Sequence, residues 1–259
     1  MHDACAVRLS WAQVSETGSR ASNQDAIGAA RNGDLACFAI ADGTGGHRGG
    51  EVASRIAVDS LIRAFCDGPA FGTQALLGYV DQAIGQVEQA RRGDPDLSDM
   101  STTIATLLVD QHSARAVWAH LGDSRIYLFR AGRVLAVTRD HSLAQQLVDA
   151  GYIDAAQLRE HPQRNILLAA AGAQGEIGVA ASGDPVALMP GDALLACSDG
   201  LWEWVREEEM EQALLETGRS EDWLAAMCAT ADAAVKAAGK ARDNYSAYAI
   251  RVHHQEPAA

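Results

Sequence analysis

The chain has 259 residues, 48% of them hydrophobic and 21% charged, and 34 acidic against 21 basic residues leave a formal net charge of −13. Such a chain is globular and long enough to bury roughly three quarters of its unfolded surface, and its acidity excludes a sequence-independent grip on nucleic acid phosphates or an anionic membrane. Cys5, Cys37, Cys66, Cys197 and Cys228 are odd in number and form no Cys-x-x-Cys pair, so they read as buried free thiols, not a zinc site or a disulfide framework.

The N-terminus carries neither a basic leader nor an apolar signal core, and no apolar stretch reaches membrane-spanning length. A soluble, cytoplasmic protein is expected. Glycines and prolines are scattered through turns with no linker among them, so residues 1–259 are expected to form a single domain.

Along the chain, Val7 to Val14 alternates loosely and suits a strand, whereas Leu35 to Ala41 is apolar throughout, as in a strand covered on both faces. Helical spacing follows at Val52, Ala53, Ile56, Ala57, Leu61, Ala64 and Phe65. It returns at Leu76, Leu77, Val80, Ala83, Ile84 and Val87 after the turn Asp67-Gly68-Pro69. Strands are predicted over Thr103 to Val109, Ala114 to Leu121, Arg125 to Arg130 and Arg133 to Thr138, the last two joined by a tight turn at Ala131-Gly132. Residues 140–175 differ in kind, with short helical patterns at Leu143 to Ala150 and Ala155 to Glu160, and read as a flap-like lobe. Strands resume near Gly178, Val186 and Ala193. Helices are predicted over about Glu207 to Glu216 and from a cap at Ser220 to Gly239, before a last strand from Tyr245 to Val252. Strands in runs and helices in pairs define an α+β fold with antiparallel sheets.

Carboxylates sit where these strands run out. Asp42-Gly43 closes the apolar run ending at Ala41, Asp199-Gly200 follows the run from Ala193 to Ser198, and Asp243-Asn244 precedes the last strand. A carboxylate closing such a strand has no packing use, and several together would resist ionisation unless a cation neutralised them. Oxygen-only ligands favour Mg²⁺ or Mn²⁺.

In order, the chain carries Arg20-x-x-Asn23-Gln24-Asp25, Asp42-Gly43-Thr44-Gly45-Gly46-His47, Gly122-Asp123-Ser124-Arg125, Ser198-Asp199-Gly200-Leu201-Trp202 and Asp243-Asn244. From Val7 to Val252 it resembles the metal-dependent protein phosphatases, the type 2C serine/threonine class. The bacterial members are the nearer match, because Gly45-Gly46-His47 is followed by Gly50-Glu51-Val52-Ala53-Ser54. The resemblance implies a four-layer α-β-β-α sandwich of two antiparallel sheets flanked by helix pairs, with Mn²⁺ or Mg²⁺ held at one end. It implies two core ions: Asp42 would bridge them, helped by the Gly43 carbonyl, Asp199 and Asp243 would complete the first, and Asp25 would hold the second. Asp123 resembles the ligand of a third ion shared with Asp199.

Arg20 would bind the substrate phosphate with its forked guanidinium. Function would then be hydrolysis of phosphoserine and phosphothreonine in a phosphorylated protein substrate, by direct attack of a hydroxide bridging the metals, opposing a cognate serine/threonine kinase. A monomer is expected. The alternative is a catalytically silent pseudophosphatase that binds phosphoproteins.

Thr44 departs from the animal enzymes, where a histidine follows the Asp-Gly pair as general acid, and a threonine hydroxyl is too weak an acid to replace it. His161, in His161-Pro162-x-Arg164-Asn165, resembles a motif of bacterial relatives and is the first candidate for that role, its plain reading being a turn-stabilising residue before Pro162. His47 and a metal-bound water follow, while His141 reads as structural. Trp202 and Trp204 are expected to pack on a sheet, Glu207-Glu208-Glu209 to open a helix in solvent, and His253-His254 to lie in a surface tail.

Overall fold

The computed structural model describes residues 6–44, 46–173 and 178–255, without the side chains of residues 46–48. In chain order the elements are β1 (Val7–Glu16), β2 (Asp25–Asn32), β3 (Leu35–Thr44), α1 (Gly46–Asp67), α2 (Thr73–Gly93), β4 (Ser101–Thr102), β5 (Ile104–Asp110), β6 (Arg115–Leu121), β7 (Arg125–Arg130) and β8 (Arg133–Val137). They continue through α3 (Leu143–Asp149), a 3-10 turn at Ala155–Glu160, β9 (Ala180–Ala181), β10 (Val186–Ala187), β11 (Ala193–Cys197), α4 (Asp199–Trp202), α5 (Glu207–Glu216), α6 (Ser220–Ala238) and β12 (Tyr245–His254).

The period-two side-chain alternation of the buried strands decides the layering. On β3, Cys37, Ala39 and Ala41 pack with Leu61, Phe65, Val80 and Val87 of α1 and α2, while Ala36, Phe38 and Ile40 face inward. On the other side, Leu195 and Cys197 of β11 and Ala247 and Ala249 of β12 meet Met210, Trp223 and Met227 of α5 and α6. Their alternate residues Leu194, Ala196, Tyr248 and Ile250 meet Phe38, Ile40 and Leu107 between the sheets. This is the expected α-β-β-α sandwich. One sheet has the order β1-β12-β11-β7-β8 and the other β10-β6-β5-β3-β2, with β4 on β3 and β9 on β6, all antiparallel.

Turn chemistry agrees with the sequence at two points. Ala131 and Gly132 both take positive φ, 51° and 75°, as a two-residue hairpin between β7 and β8 needs. Gly239 ends α6 in the left-handed region at φ 63°, ψ 28°. Ser220, by contrast, is the first residue of α6 and not its cap, a place taken by Arg219; the Ser220 hydroxyl donates instead to the Ser10 carbonyl at 3.1 Å.

Other expectations are corrected. His253 and His254 belong to β12, opposite Arg8 and Val7, and His253 Nε2 lies 2.7 Å from Ser10 Oγ, so they are no tail. Cys66 is exposed, because it lies on the outer side of α1, whereas Cys37 and Cys197 are buried. Glu207 is drawn out of solvent by Arg159 at 2.7 Å. β2 escapes the sequence pattern because it is built of small residues, and Gly28 shows why: a Cβ there would stand 2.6 Å from Val58 Cγ1 of α1. No helix among the described residues is long and apolar enough to cross a membrane.

The flap-like segment folds back on itself through Leu143 N–H to the Ile166 carbonyl at 2.9 Å and Leu168 N–H to the His141 carbonyl at 2.8 Å. Its last residues, 174 and 175, lie outside the described residues.

Candidate metal centre

Antiparallel register puts Asp25, at the start of β2, directly opposite Asp42 on β3. Asp42 is clamped by its backbone. Its N–H donates to Thr103 Oγ1 at 2.9 Å, and its carbonyl accepts from Thr103 N–H at 2.8 Å and Thr102 Oγ1 at 2.9 Å. Gly43 is obligatory, since a Cβ there would stand 2.0 Å from the Gly50 carbonyl oxygen where α1 approaches. Asp199 opens α4, and Gly200 next to it presses on the Asn244 carbonyl, 2.0 Å from where a Cβ would lie. The Asp199 and Asp243 loops are therefore packed backbone against backbone.

Asn244 ties in the first motif, accepting from Gln24 N–H at 2.9 Å and donating to the carbonyls of Thr17 at 2.8 Å and Ser22 at 3.0 Å. This holds the loop carrying Arg20 against the centre, where the guanidinium pairs with Asp243. Asp123 is fixed from beneath: the Trp202 indole N–H donates to its carbonyl at 2.9 Å, and Gly122 N–H donates to His141 Nδ1 at 3.3 Å.

The five carboxylates feel one another. Burial, then Asp25, Asp199, Asp123 and Asp243, push Asp42 well above the ordinary carboxylate range, and burial, Asp123, Glu203, Asp243 and Asp25 do the same to Asp199. Burial lifts Asp25 to about 6 and Asp123 to about 7. Among the described residues no three acidic, histidine or cysteine side chains form a ready-made cage, for Asp243 is turned to Arg20 and Asp25 Oδ2 accepts from Ser198 Oγ at 2.7 Å. Asp25 Oδ1 and Asp199 Oδ1 nonetheless lie buried without any hydrogen-bond partner. Unpaired, buried, oxygen-only donors with mutual repulsion fit a hard divalent cation.

Not every candidate joins this cluster. His161 caps the 3-10 turn, its Nδ1 accepting from Gln163 N–H at 3.2 Å, and among the described residues it bonds to none of the five aspartates. Thr44 Oγ1 lies 2.6 Å from Ser101 Oγ, and the side chain of His47 falls outside the described residues. Sequence reasoning missed Thr102, Thr103, Ser198 and the supporting roles of Trp202 and Asn244. Ser198, Trp202 and Asn244 lie within three residues of Asp199 or Asp243, whereas Thr102 and Thr103 stand 60 and 61 residues from the Asp42 they support.

Comparisons with known proteins bear on the family and the fold. A family profile described as protein phosphatase 2C matches residues 13–241. The chain is 36% identical over 201 residues to the serine/threonine phosphatase stp of Listeria innocua, covering 75% of this chain and 78% of that protein. Its fold superposes on the crystal structure of the Mycobacterium tuberculosis serine/threonine phosphatase PstP/Ppp with a TM-score of 0.81 at 30% identity, covering 96% of this chain and 100% of that one. It also matches a PstP catalytic domain in complex with two manganese ions, with a TM-score of 0.77 at 29% identity over 95% of this chain and 99% of that one. The fold and the acidic centre define a metal-dependent phosphatase. The chain belongs to the protein phosphatase 2C family, on the side of its bacterial members.

Proposed function

We propose that this chain is a serine/threonine protein phosphatase, one catalytic domain and a monomer, that removes phosphate from proteins modified by a cognate kinase. What supports the reading is the mutual repulsion that Asp42 and Asp199 feel from Asp25, Asp123 and Asp243, with partnerless buried oxygens on Asp25 and Asp199. Asp42, the Gly43 carbonyl, Asp199 and Asp243 are assigned to one ion, Asp42 and Asp25 to a second, and Asp123 with Asp199 to a third. Mn²⁺ or Mg²⁺, when bound, supplies charge neutralisation at the phosphate and makes hydroxide accessible near neutral pH.

The residues of the chain do the rest. Arg20 is 60% exposed on its side chain and raised in pKa by its hydrogen bond to Asp243 and by Asp199 and Asp42, so it stays charged at the mouth of the centre and offers a fork to phosphate. Ser198 holds the Asp25 carboxylate, Thr102 and Thr103 hold the Asp42 backbone, and Trp202 fixes the loop of Asp123. No phosphoenzyme is needed, in keeping with the thiols of Cys37 and Cys197, which burial pushes up to about 12. The test is turnover of p-nitrophenyl phosphate and a phosphothreonine peptide with Mn²⁺. Turnover that vanishes in chelator is expected; none, or turnover indifferent to chelator, overturns the proposal.

A further inference from the structure

A cavity of about 540 Å³ is lined from chain segments that adjoin two of the candidate ligands, Asp199 and Asp243. Its lining includes Glu203, Trp204, Arg206 and Glu209, which follow Asp199, Lys240, which precedes Asp243, and Arg159, Glu160 and Arg164 of the flap-like segment. A second cavity of about 550 Å³ shares Arg159, Glu160 and Arg206 with it.

Its charges run against the chain's own. In a protein of net charge −13, the lining carries four cations, Arg159, Arg164, Arg206 and Lys240, against the three acids Glu160, Glu203 and Glu209. Arg164 is spent on Glu203 at 2.5 Å, and Glu209 accepts from the Arg206 backbone N–H at 2.7 Å. Arg159 gives Nη2 to Glu207 at 2.7 Å, yet its Nη1 is buried with no partner. The Arg206 side chain is 70% exposed, with Glu160 its nearest acid at 3.9 Å. Lys240 is exposed, makes no ion pair among the described residues and holds Nζ 5.8 Å over the half-buried Trp204 ring.

From this geometry we infer that the cleft docks the polypeptide flanking the phosphorylated residue, and that Arg206 and Lys240 select substrates with acidic side chains there. The inference rests on the phosphatase reading. A peptide whose phosphate meets Arg20 at Asp243 has its neighbours beside Lys240, within the loop that leads to that aspartate. The flat Trp204 ring gives backbone and aliphatic carbon a surface, and the two cations attract carboxylates and repel lysine-rich segments.

The test uses two phosphothreonine peptides that differ only in carrying Glu or Lys at the second and third residues on either side. The intact protein with Mn²⁺ is expected to favour the acidic peptide in kcat/KM by about threefold to tenfold at low salt, the sum of a few exposed charge contacts. The preference should shrink toward parity at about 0.5 M salt. Lys240→Glu should reduce it, and Arg206→Glu with Lys240→Glu should invert it; the single variant stands if the double fails to fold. Fluorescence anisotropy of both peptides in chelator reads the same preference as affinity, apart from turnover. Equal treatment of the peptides by a protein that hydrolyses p-nitrophenyl phosphate, or a wild-type ratio retained by Lys240→Glu, overturns the docking inference and leaves the phosphatase reading intact. Acidic preference in anisotropy without any turnover upholds docking and overturns the phosphatase reading.

Discussion

Ser198 Oγ donates a 2.7 Å hydrogen bond to Asp25 Oδ2 and accepts one of 2.9 Å from Ser246 N–H, so a single buried hydroxyl joins both sheets at the acidic centre. Asp25 starts β2 in one sheet, and Ser198 follows β11 in the other. The hydroxyl thereby decides which oxygen of Asp25 is committed and which, Oδ1, is left without a partner.

Ser198→Ala strands the Ser246 N–H and frees Asp25 Oδ2 together. A cost of about 1–3 kcal/mol in stability is expected from the unsatisfied buried donor. Losing a group that orients a metal ligand should weaken Mn²⁺ binding by about 10-fold to 100-fold. Urea unfolding and calorimetric Mn²⁺ titration read the two effects separately. Unchanged Mn²⁺ affinity would remove the orienting role.

Protonation of the metal-free centre sets a second expectation. Burial holds Asp25 at about 6 and Asp123 at about 7, with Asp42 and Asp199 also raised, while burial lowers His120 and takes His141 down to about 4. The raised carboxyls contribute stability that is complete below their unfolded pKa of about 3.9 and is lost as pH climbs through the folded values. The lowered imidazoles act in the opposite sense, and their contribution is complete once pH exceeds about 6.5. Above that point the imidazoles no longer oppose the carboxyls, and the buried thiols, also raised, act in the same sense as the carboxyls, so the Tm of the chelated protein should fall between about pH 6.5 and about pH 8. Mn²⁺ should restore more stability at the upper pH, because it competes with fewer protons. Thermal scans at both pH values, with chelator and with Mn²⁺, decide it; a chelated Tm that rises over that window counts against the centre as described.

Arg125 and Asp140 form a third testable relationship. Their side chains are 9% and 1% exposed, paired through Nε to Oδ1 at 2.8 Å and Nη2 to Oδ2 at 2.7 Å, with the guanidinium carbon 3.6 Å from the Trp202 ring centroid. The pair pins the Gly122-to-Arg125 turn to the start of the flap-like segment. Arg125→Ala leaves Asp140 buried and uncompensated, at an expected cost of about 3–5 kcal/mol. Removing both charges as Arg125→Met with Asp140→Leu should recover most of that loss, because the desolvation cost of each ion disappears with it. Denaturant midpoints of the two variants check this.

These cases show what the sequence could and could not carry. Asp42 and Asp199 were legible because an apolar strand that ends in a carboxylate is chemically odd. Asp25 came only through its motif, since Gly28 and the alanines of β2 are small to admit α1 and so erase the alternation that marks a strand. Ser198, Thr102 and Thr103 act through neighbours distant in sequence, and nothing in local spacing marks a hydroxyl as the support of an aspartate 173 or 60 residues away. Ser220 looked like a helix cap for the same reason: the hydroxyl that would have capped α6 is taken by Ser10 across the fold.

His161 is where the sequence and the geometry part. Its imidazole accepts from Gln163 N–H, and its carbonyl accepts from Arg164 N–H at 3.1 Å, so it shapes the turn that delivers Arg164 to Glu203. His161→Ala should therefore cost about 0.5–1.5 kcal/mol through the lost hydrogen bond. It should lower kcat for p-nitrophenyl phosphate and for a phosphothreonine peptide by the same factor. A general acid would behave otherwise. Nitrophenolate leaves without a proton whereas a threonine alkoxide needs one, so a loss confined to the peptide, of about 100-fold or more, would restore His161 as the proton donor.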